Sequence, residues 1–339
     1  MRKIHSIKMI YTGGTIGMKS TADGLLPDAD AIERFLLSRF SNQKIMLYTD
    51  EPLIDSSALD FNCWNRWIEL INRDLEQYQG VIILHGTDTL AYTAAMLSIL
   101  YSNSTIPIIL TGAMEPINSP TSDGETNLIS ACSALESLQE GVFVVFNCKL
   151  WAAEDCVKVS TREKNAFCTP HNQALAQYSY KLKRWYYPKG KPRSSMSKIA
   201  GLPGPLTKFR NDTRVCTLWV APGNQWAMSK IIASQLWDAI ILQTFGNGNI
   251  PVTGALCKEL NYHLARGIPI LNVTQVLRGR VGGEYGPGKK LLAMGCISGL
   301  SATFELVYVV TQLALSLYQH PLERKSFIQR ILEAMDAGR

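Results

Sequence analysis

The chain is poor in the residues that hold metals. Its five histidines, His5, His85, His171, His263 and His320, stand far apart, and none of its eight cysteines forms a C-x-x-C pair. A zinc or iron–sulfur site built on local spacing is therefore excluded, and the cysteines read as reduced, buried thiols. Long apolar runs are missing too. No stretch reaches the roughly 18 uninterrupted apolar residues of a membrane span, and the best candidate, Leu306 to Tyr318, is flanked by Glu305 and His320. The start MRKIHSIKMIYTGG has Lys8 inside its apolar stretch, so it lacks the continuous h-region of a signal peptide. A phosphate loop is missed narrowly: YTGGTIG does not match G-x-G-x-x-G, and Met18 separates Gly17 from Lys19. Acid is absent from residues 181–198, KLKRWYYPKGKPRSSMSK, which hold seven Lys or Arg within a net charge of +6. With prolines, glycine and serines, that stretch is expected as an exposed connector, and a nucleic-acid surface is its less favoured reading.

What is present is ordinary globular composition, 46% hydrophobic and 18% charged over 339 residues, enough for two domains. Strand and helix patterns alternate. SIKMIYT is extended; DADAIERFLLSRF places Ile32, Phe35, Leu36 and Phe40 on one helical face, with Asp28 or Asp30 able to cap it. KIMLYT follows, then a helical period from Trp64 through Leu75 to Tyr78, then VIIL, a helix from Thr89 to Leu100, IPIILTG, a helix after Ser122, and VFVVFN. Continuous apolar strands between amphipathic helices imply a parallel sheet covered on both faces. The expected architecture is α/β: an N-terminal domain over 1–180, the basic connector over 181–213, and a smaller α/β domain over 214–339, where VCTLWVAPG, WDAIILQTFGNGN and IPILNVTQ repeat the alternation.

In such sheets the ligand lies outside the carboxyl ends of the strands. That rule nominates YTGGTIG, with Thr12 and Thr15 exposed by the glycine turn, IDSSALD, HGTDT, TGAMEP and the segment after FNCKL. The polar groups gathered there are hydroxyls and carboxylates: Asp55, Ser56, Ser57, Thr87 and Asp88. A hydroxyl becomes a nucleophile only when a base takes its proton, and a carboxylate or a buried lysine can serve. Taken singly, each threonine is as well explained as a turn or cap residue.

YTGGTIGM, HGTDTLAYTAA and TGAMEPINSPTSDGETNL together resemble the bacterial L-asparaginase family, and DSS with the early first motif is most similar to its cytoplasmic type I branch. The resemblance covers nearly the whole chain. It implies hydrolysis of L-asparagine to L-aspartate and ammonia without metal or organic cofactor, by a cytoplasmic homodimer or homotetramer that binds neither nucleic acid nor membrane. Carried over position by position, it makes Thr15 the primary nucleophile that forms an acyl-enzyme. Thr87 and Lys158 become the activating pair and Asp88 the holder of the substrate α-amino group. Asp55, Ser56 and Ser57 surround the α-carboxylate, and backbone N–H groups near Thr15 and Thr87 receive the oxyanion. Aligning FNCKLWAAEDCVK selects Lys158 over Lys149, with Asp88 or Glu154 as the compensating charge. In QTFGNGN, Asn247 and Asn249 match residues that reach a neighbouring subunit's site in relatives.

Three departures from the family pattern stand out. The loop MKSTADGLLP carries Leu25 where relatives have a lid tyrosine. AAEDCVK brings Glu154 and Asp155 where glycine and arginine are usual, and a Glu154 facing the pocket would raise the lysine's pKa. Gln243 and Val276 replace the arginine and cysteine that serve asparagine-switched type I enzymes, so that route of allostery is not expected. The alternative to a hydrolase, with some glutaminase activity, is a catalytically weak paralogue that binds the amino acid. A tRNA-dependent amidotransferase subunit is disfavoured, because that branch carries an additional domain ahead of its TGGTI motif and only eleven residues precede Thr12.

Overall fold

The structure, a computed structural model, describes residues 6–337 apart from 22–23, 29, 42–43, 171–172, 193–195, 197–198, 252–253 and 283–285. It divides into two compact units, 1–207 and 208–339.

In the first unit the chain runs through β1 (Ser6–Gly13), the hairpin β2 (Met18–Thr21) and β3 (Gly24–Pro27), α1 (Asp30–Arg39), β4 (Ile45–Ile54), α2 (Phe61–Asn72), β5 (Tyr78–Leu84), α3 (Leu90–Leu100), β6 (Pro107–Thr111), α4 (Gly124–Ser137) and β7 (Gly141–Phe146). It continues through β8 (Lys149–Ala152), the ladder of β9 (Val157–Lys158) with β10 (Phe167–Cys168), β11 (Ala176–Ser179) and β12 (Arg184–Tyr186). Eight strands form one sheet in the order β12-β11-β8-β7-β6-β5-β1-β4. The five from β7 to β4 pair in parallel, as expected of the buried apolar runs β7, β6, β5 and β1, while β4, largely part-exposed, forms the margin at that end.

At the other end the parallel-rich sheet becomes mixed, where β8, β11 and β12 add on antiparallel. The chain reverses after β7 through Asn147 and Cys148 at φ 48° and 58°. A two-residue turn with both centres left-handed returns a strand beside its predecessor, and a cysteine in the second place hides the usual glycine signal. The basic stretch differs in the same way. Residues 184–186 form the edge strand, with Trp185 buried against Tyr178 and only Arg184 and Tyr186 turned outward. The boundary between the units falls at Thr207, inside the 181–213 stretch.

One face of the sheet packs Ile7, Met9, Tyr11, Ile82, Leu84, Ile109, Phe143 and Val145 against α1 and α4. The alternate residues Ile10, Val81, Ile83, Ile108, Leu110, Val142 and Val144 are equally buried on the other face, where α2 and α3 lie. Ten of the eleven residues of α3 are buried, the signature of a helix apolar all round. Helix α2 ends at Asn72 rather than running to Tyr78: Asp60 caps its start through Cys63 N–H at 2.9 Å, Arg73 is extended, and Asp74 sits at φ 53°. The apolar period persists past the helix because Leu75 lies in a 3-10 turn and Tyr78 already belongs to β5. Fully buried Lys8 closes the end of α2 by donating to the carbonyls of Ile71, at 3.4 Å, and Arg73, with its ammonium against the rings of Tyr48 and Tyr78. Burial lowers its pKa to about 8.

The second unit is a four-stranded parallel sheet of β13 (Val215–Trp219), β14 (Ala239–Thr244), β15 (Ile270–Thr274) and β16 (Ile297–Ser298) in sequence order. Its helices are α5 (Gln225–Ala233), α6 (Gly254–Ala265), α7 (Gly286–Met294), α8 (Phe304–Leu317) and α9 (Pro321–Ala337). Met228, Ile232, Leu256 and Leu260 from α5 and α6 pack on Ile240, Leu242 and Ile270, and α8 packs on β14, β15 and α9. Among the described residues no helix is long and apolar enough to cross a membrane.

Candidate active site

Parallel strands end together, so the loops after β1, β5, β6 and β7 leave one edge of the sheet. Tyr11 lies opposite Leu84, and Leu84 opposite Thr111. His85 N–H extends the β5–β6 ladder by donating to Thr111 C=O at 2.8 Å. Thr12 is buried there rather than exposed: its hydroxyl donates to Leu84 C=O at 3.0 Å, which removes it from the candidates.

The chain turns sharply after β1. Gly14, at φ 84°, leads into a 3-10 turn of Thr15–Gly17 that leaves Thr15 half-buried. Gly14 faces Gly86 so closely that a Cβ on it would lie 2.3 Å from Gly86 Cα. Each glycine is followed by one of the two nominated threonines, so the close approach brings the Thr15 and Thr87 loops together.

Lys158 arrives from β9. Its Nζ donates to Thr87 Oγ1 at 2.7 Å and to Asp88 Oδ1 at 2.6 Å, with the lysine side chain 18% exposed and the aspartate 60%. The compensating carboxylate is thus Asp88. Glu154 is buried in the 3-10 turn Ala153–Asp155, which packs on α3. Lys149 instead donates to Asn165 at 2.9 Å.

The DSS segment separates into distinct parts. Asp55 caps the 3-10 turn Ser56–Ala58, its Oδ1 accepting from the Ser57 N–H at 2.8 Å and the Ser57 hydroxyl at 2.7 Å, bonds that hold the carboxyl below its usual range. Ser56 Oγ accepts the Asp88 N–H at 3.2 Å, and its own carbonyl accepts the Thr89 hydroxyl at 2.8 Å. The Ser57 proton is therefore committed, whereas the Ser56 hydroxyl still has its proton to donate.

Asp123 and Asn127 form a supporting pair that the strand-end rule does not nominate. Asp123 accepts from the N–H groups of Met114, at 2.9 Å, and Glu115, at 3.2 Å, which shapes the TGAMEP loop. Asn127 donates to Gly112 C=O at 2.9 Å and accepts from Asn147 N–H at 2.8 Å, tying the loops after β6 and β7. The signal was the SDGETN run at the start of α4, polar residues of which Asp123 and Asn127 are buried.

Other expected residues stand elsewhere. Leu25 lies on β3 opposite Ser20, and its side chain, like His171, lies outside the described residues. In the second unit Asn247 Oδ1 accepts from Gly282 N–H at 2.5 Å, and Asn249 joins Phe245 through both backbone groups, its own Oδ1 buried without a partner.

Residues 6–189 match the family model described as "Asparaginase, N-terminal", and residues 214–327 match "Glutaminase/Asparaginase C-terminal domain". The chain belongs to the asparaginase family. This family member is 32% identical to L-asparaginase 1 of Escherichia coli K12, with 88% of each chain covered. It is also 32% identical to the human 60 kDa lysophospholipase over 91% of its own length, and it spans only 58% of that relative. Among solved structures, the thermostable L-asparaginase from Thermococcus kodakarensis superposes with a TM-score of 0.83 at 26% identity, covering 97% of this asparaginase-family chain and 98% of the other.

Proposed function

We propose that the protein hydrolyses L-asparagine to L-aspartate and ammonia, with glutamine as a poorer substrate. The observation that carries the reading is the Lys158 ammonium shared between Thr87 Oγ1 and Asp88 Oδ1 at 2.7 and 2.6 Å, on the strand edge where Gly14 and Gly86 bring the Thr15 loop alongside. In the first half-reaction Thr15 Oγ attacks the carboxamide carbon. Its proton goes to the departing nitrogen, the C–N bond breaks, ammonia leaves and an ester on Thr15 remains. In the second, water adds to the ester with Thr87 and Lys158 handling its proton, and the C–O bond to Thr15 breaks with return of that proton. Asp88 Oδ2 receives the substrate ammonium, and the free proton of Ser56 meets its α-carboxylate. One extra methylene costs about 1–3 kcal/mol of discrimination, so turnover of glutamine is a matter of degree.

The family membership supports a small-molecule substrate, and the type I motifs support a cytoplasmic homodimer or homotetramer in which Asn247 and Asn249 serve a neighbouring subunit. The reaction needs water as its only co-substrate. The deciding experiment is ammonia release from asparagine and glutamine by the purified protein, with Thr15→Ala and Thr87→Ala beside it. Turnover of asparagine that both substitutions abolish is expected. Activity surviving both overturns the nucleophile assignment, and asparagine binding without turnover leaves only the amino-acid pocket.

A further inference from the structure

Among the described residues His85 is the one histidine on the strand edge of the candidate site, yet it is 1% exposed and turned inward. Its Nδ1 lies 2.7 Å from the carbonyl oxygen of Gly86 and its Nε2 2.9 Å from Thr93 Oγ1, while Trp64 Nε1 donates to the same Thr93 oxygen at 2.9 Å. The imidazole and the Trp67 ring meet in a T-shaped contact at 83°, with centroids 5.1 Å apart.

These distances assign every proton. A carbonyl only accepts, so Nδ1 carries the hydrogen. Burial keeps the ring neutral, with its pKa lowered to about 4, so Nε2 is an acceptor and takes the Thr93 proton. Thr93 is then left with lone pairs for the indole N–H, which can do nothing but donate. A single directed chain runs from Trp64 on α2 through Thr93 on α3 to His85 and ends on the carbonyl of Gly86. In a trans peptide the N–H points opposite to the C=O. Holding the Gly86 carbonyl toward the buried imidazole therefore directs the Thr87 N–H away from the interior, and a hydrogen bond on the carbonyl polarises that N–H into a better donor.

Resting on the hydrolase reading above, we propose that His85 is a positioning residue. Backed by Thr93 and Trp64, it fixes the Gly86–Thr87 peptide so that the Thr87 N–H serves the oxyanion while Thr87 Oγ1 stays on Lys158. It exchanges no proton with substrate, because both ring nitrogens are spent inside the protein.

The test compares His85→Asn, whose amide N–H can stand where Nδ1–H stands, with His85→Leu, and Thr93→Ser with Thr93→Val. For His85→Leu and Thr93→Val we expect kcat to fall about 10–100-fold, the loss typical of removing an outer orienting partner, with KM for asparagine held within about twofold because Asp88 and Ser56 are untouched. His85→Asn and Thr93→Ser recover most of kcat, and all four keep the wild-type pH–rate limbs. Equal losses in His85→Asn and His85→Leu, a KM rise matching the kcat loss, or a lost pH limb overturns the proposal. Nitrogen NMR of the wild-type imidazole gives a readout free of both turnover and folding defects: an Nδ1–H tautomer that does not titrate between pH 5 and 9 is expected, and an Nε2–H tautomer overturns the relay. A wild type that releases ammonia from no amide overturns the hydrolase reading instead, and the tautomer still decides the relay.

Discussion

Gly14 and Gly86 occupy each other's side-chain space: a Cβ on Gly14 would lie 2.3 Å from Gly86 Cα, and a Cβ on Gly86 would lie 2.6 Å from Ser56 Oγ and 3.2 Å from Gly14 Cα. Two of the loops that bear the nominated residues thus touch backbone to backbone, and the third reaches Gly86 through the Ser56 side chain. A methyl group at either position must push them apart, and shifts near 1 Å at a catalytic site cost about 10²-fold in rate. Gly14→Ala and Gly86→Ala should each lose asparaginase activity on that scale. Gly204→Ala, with nothing within 4 Å, should match wild type in kcat/KM and in melting temperature. An active Gly86→Ala would show that the loops are not held this closely.

Lys158→Met removes the donor to both Thr87 and Asp88 and should divide the reaction. Proton handling of this kind contributes about 10²–10⁴-fold, and the proposed roles place that loss mainly on the hydrolysis of the ester. Rapid mixing with asparagine should give a burst approaching one ammonia per site followed by slow turnover, and intact mass should show the ester on Thr15. A slow, strictly linear release with no adduct counts against this division of labour.

The two serines of the DSS segment should behave unequally. Ser56 retains a proton to give, whereas the Ser57 hydroxyl is bound to Asp55 at 2.7 Å. A hydrogen bond to a charged group is worth about 1.5–3 kcal/mol. Ser56→Ala should therefore raise KM for asparagine by about 10–100-fold with a smaller effect on kcat, and Ser57→Ala should leave KM nearly unchanged. The reverse pattern would reassign the carboxylate contact.

Stability should carry the signature of buried His85. Its folded pKa is about 4 against an ordinary value of 6.5, so between these values the unfolded chain binds a proton that the folded protein refuses. The sign is fixed by that difference: the neutral ring costs nothing above about pH 6.5, and stability falls as pH drops toward 4, by about 3 kcal/mol over the window. Urea midpoints from pH 7 to pH 4 should fall more steeply for wild type than for His85→Asn. Parallel curves would refute it.

Asparagine saturation should be hyperbolic. Gln243 lies in β14, its carbonyl accepting from Val220 N–H at 2.9 Å and from the Gln275 side chain at 2.7 Å, and Val276 is 48% exposed. Neither supplies the guanidinium or thiol expected of the asparagine-switched enzymes. A Hill coefficient clearly above one would require another effector site.

The parallel half of the first sheet and its apolar helices were legible because continuous buried runs such as VIIL and IPIIL leave a periodic trace. Thr87 and Asp88 are nominated by the strand-end rule and the family resemblance and Lys158 by the resemblance, and the structure brings Lys158 within hydrogen-bond reach of both. Conformation without a compositional signal was not legible. Asn147 and Cys148 turn the chain back with no glycine, Arg73 and Asp74 end a helix whose apolar period runs on, and Thr12 looks like its neighbour Thr15 until Leu84 C=O claims its hydroxyl. Lys8 is the plainest case, since nothing in SIKMIYT says that the carbonyls closing α2 will meet its ammonium.

The edge strand Arg184–Tyr186 gives the basic stretch a meaning separate from any ligand. An open sheet margin invites the same margin of another molecule to pair with it, and proteins discourage this with short strands and lysine or arginine. Here the margin is three residues long and begins with Arg184, and Lys181, Lys183, Lys189 and Lys191 flank it in sequence. Two copies meeting edge to edge would crowd these cations together, so the charge of this run opposes such pairing.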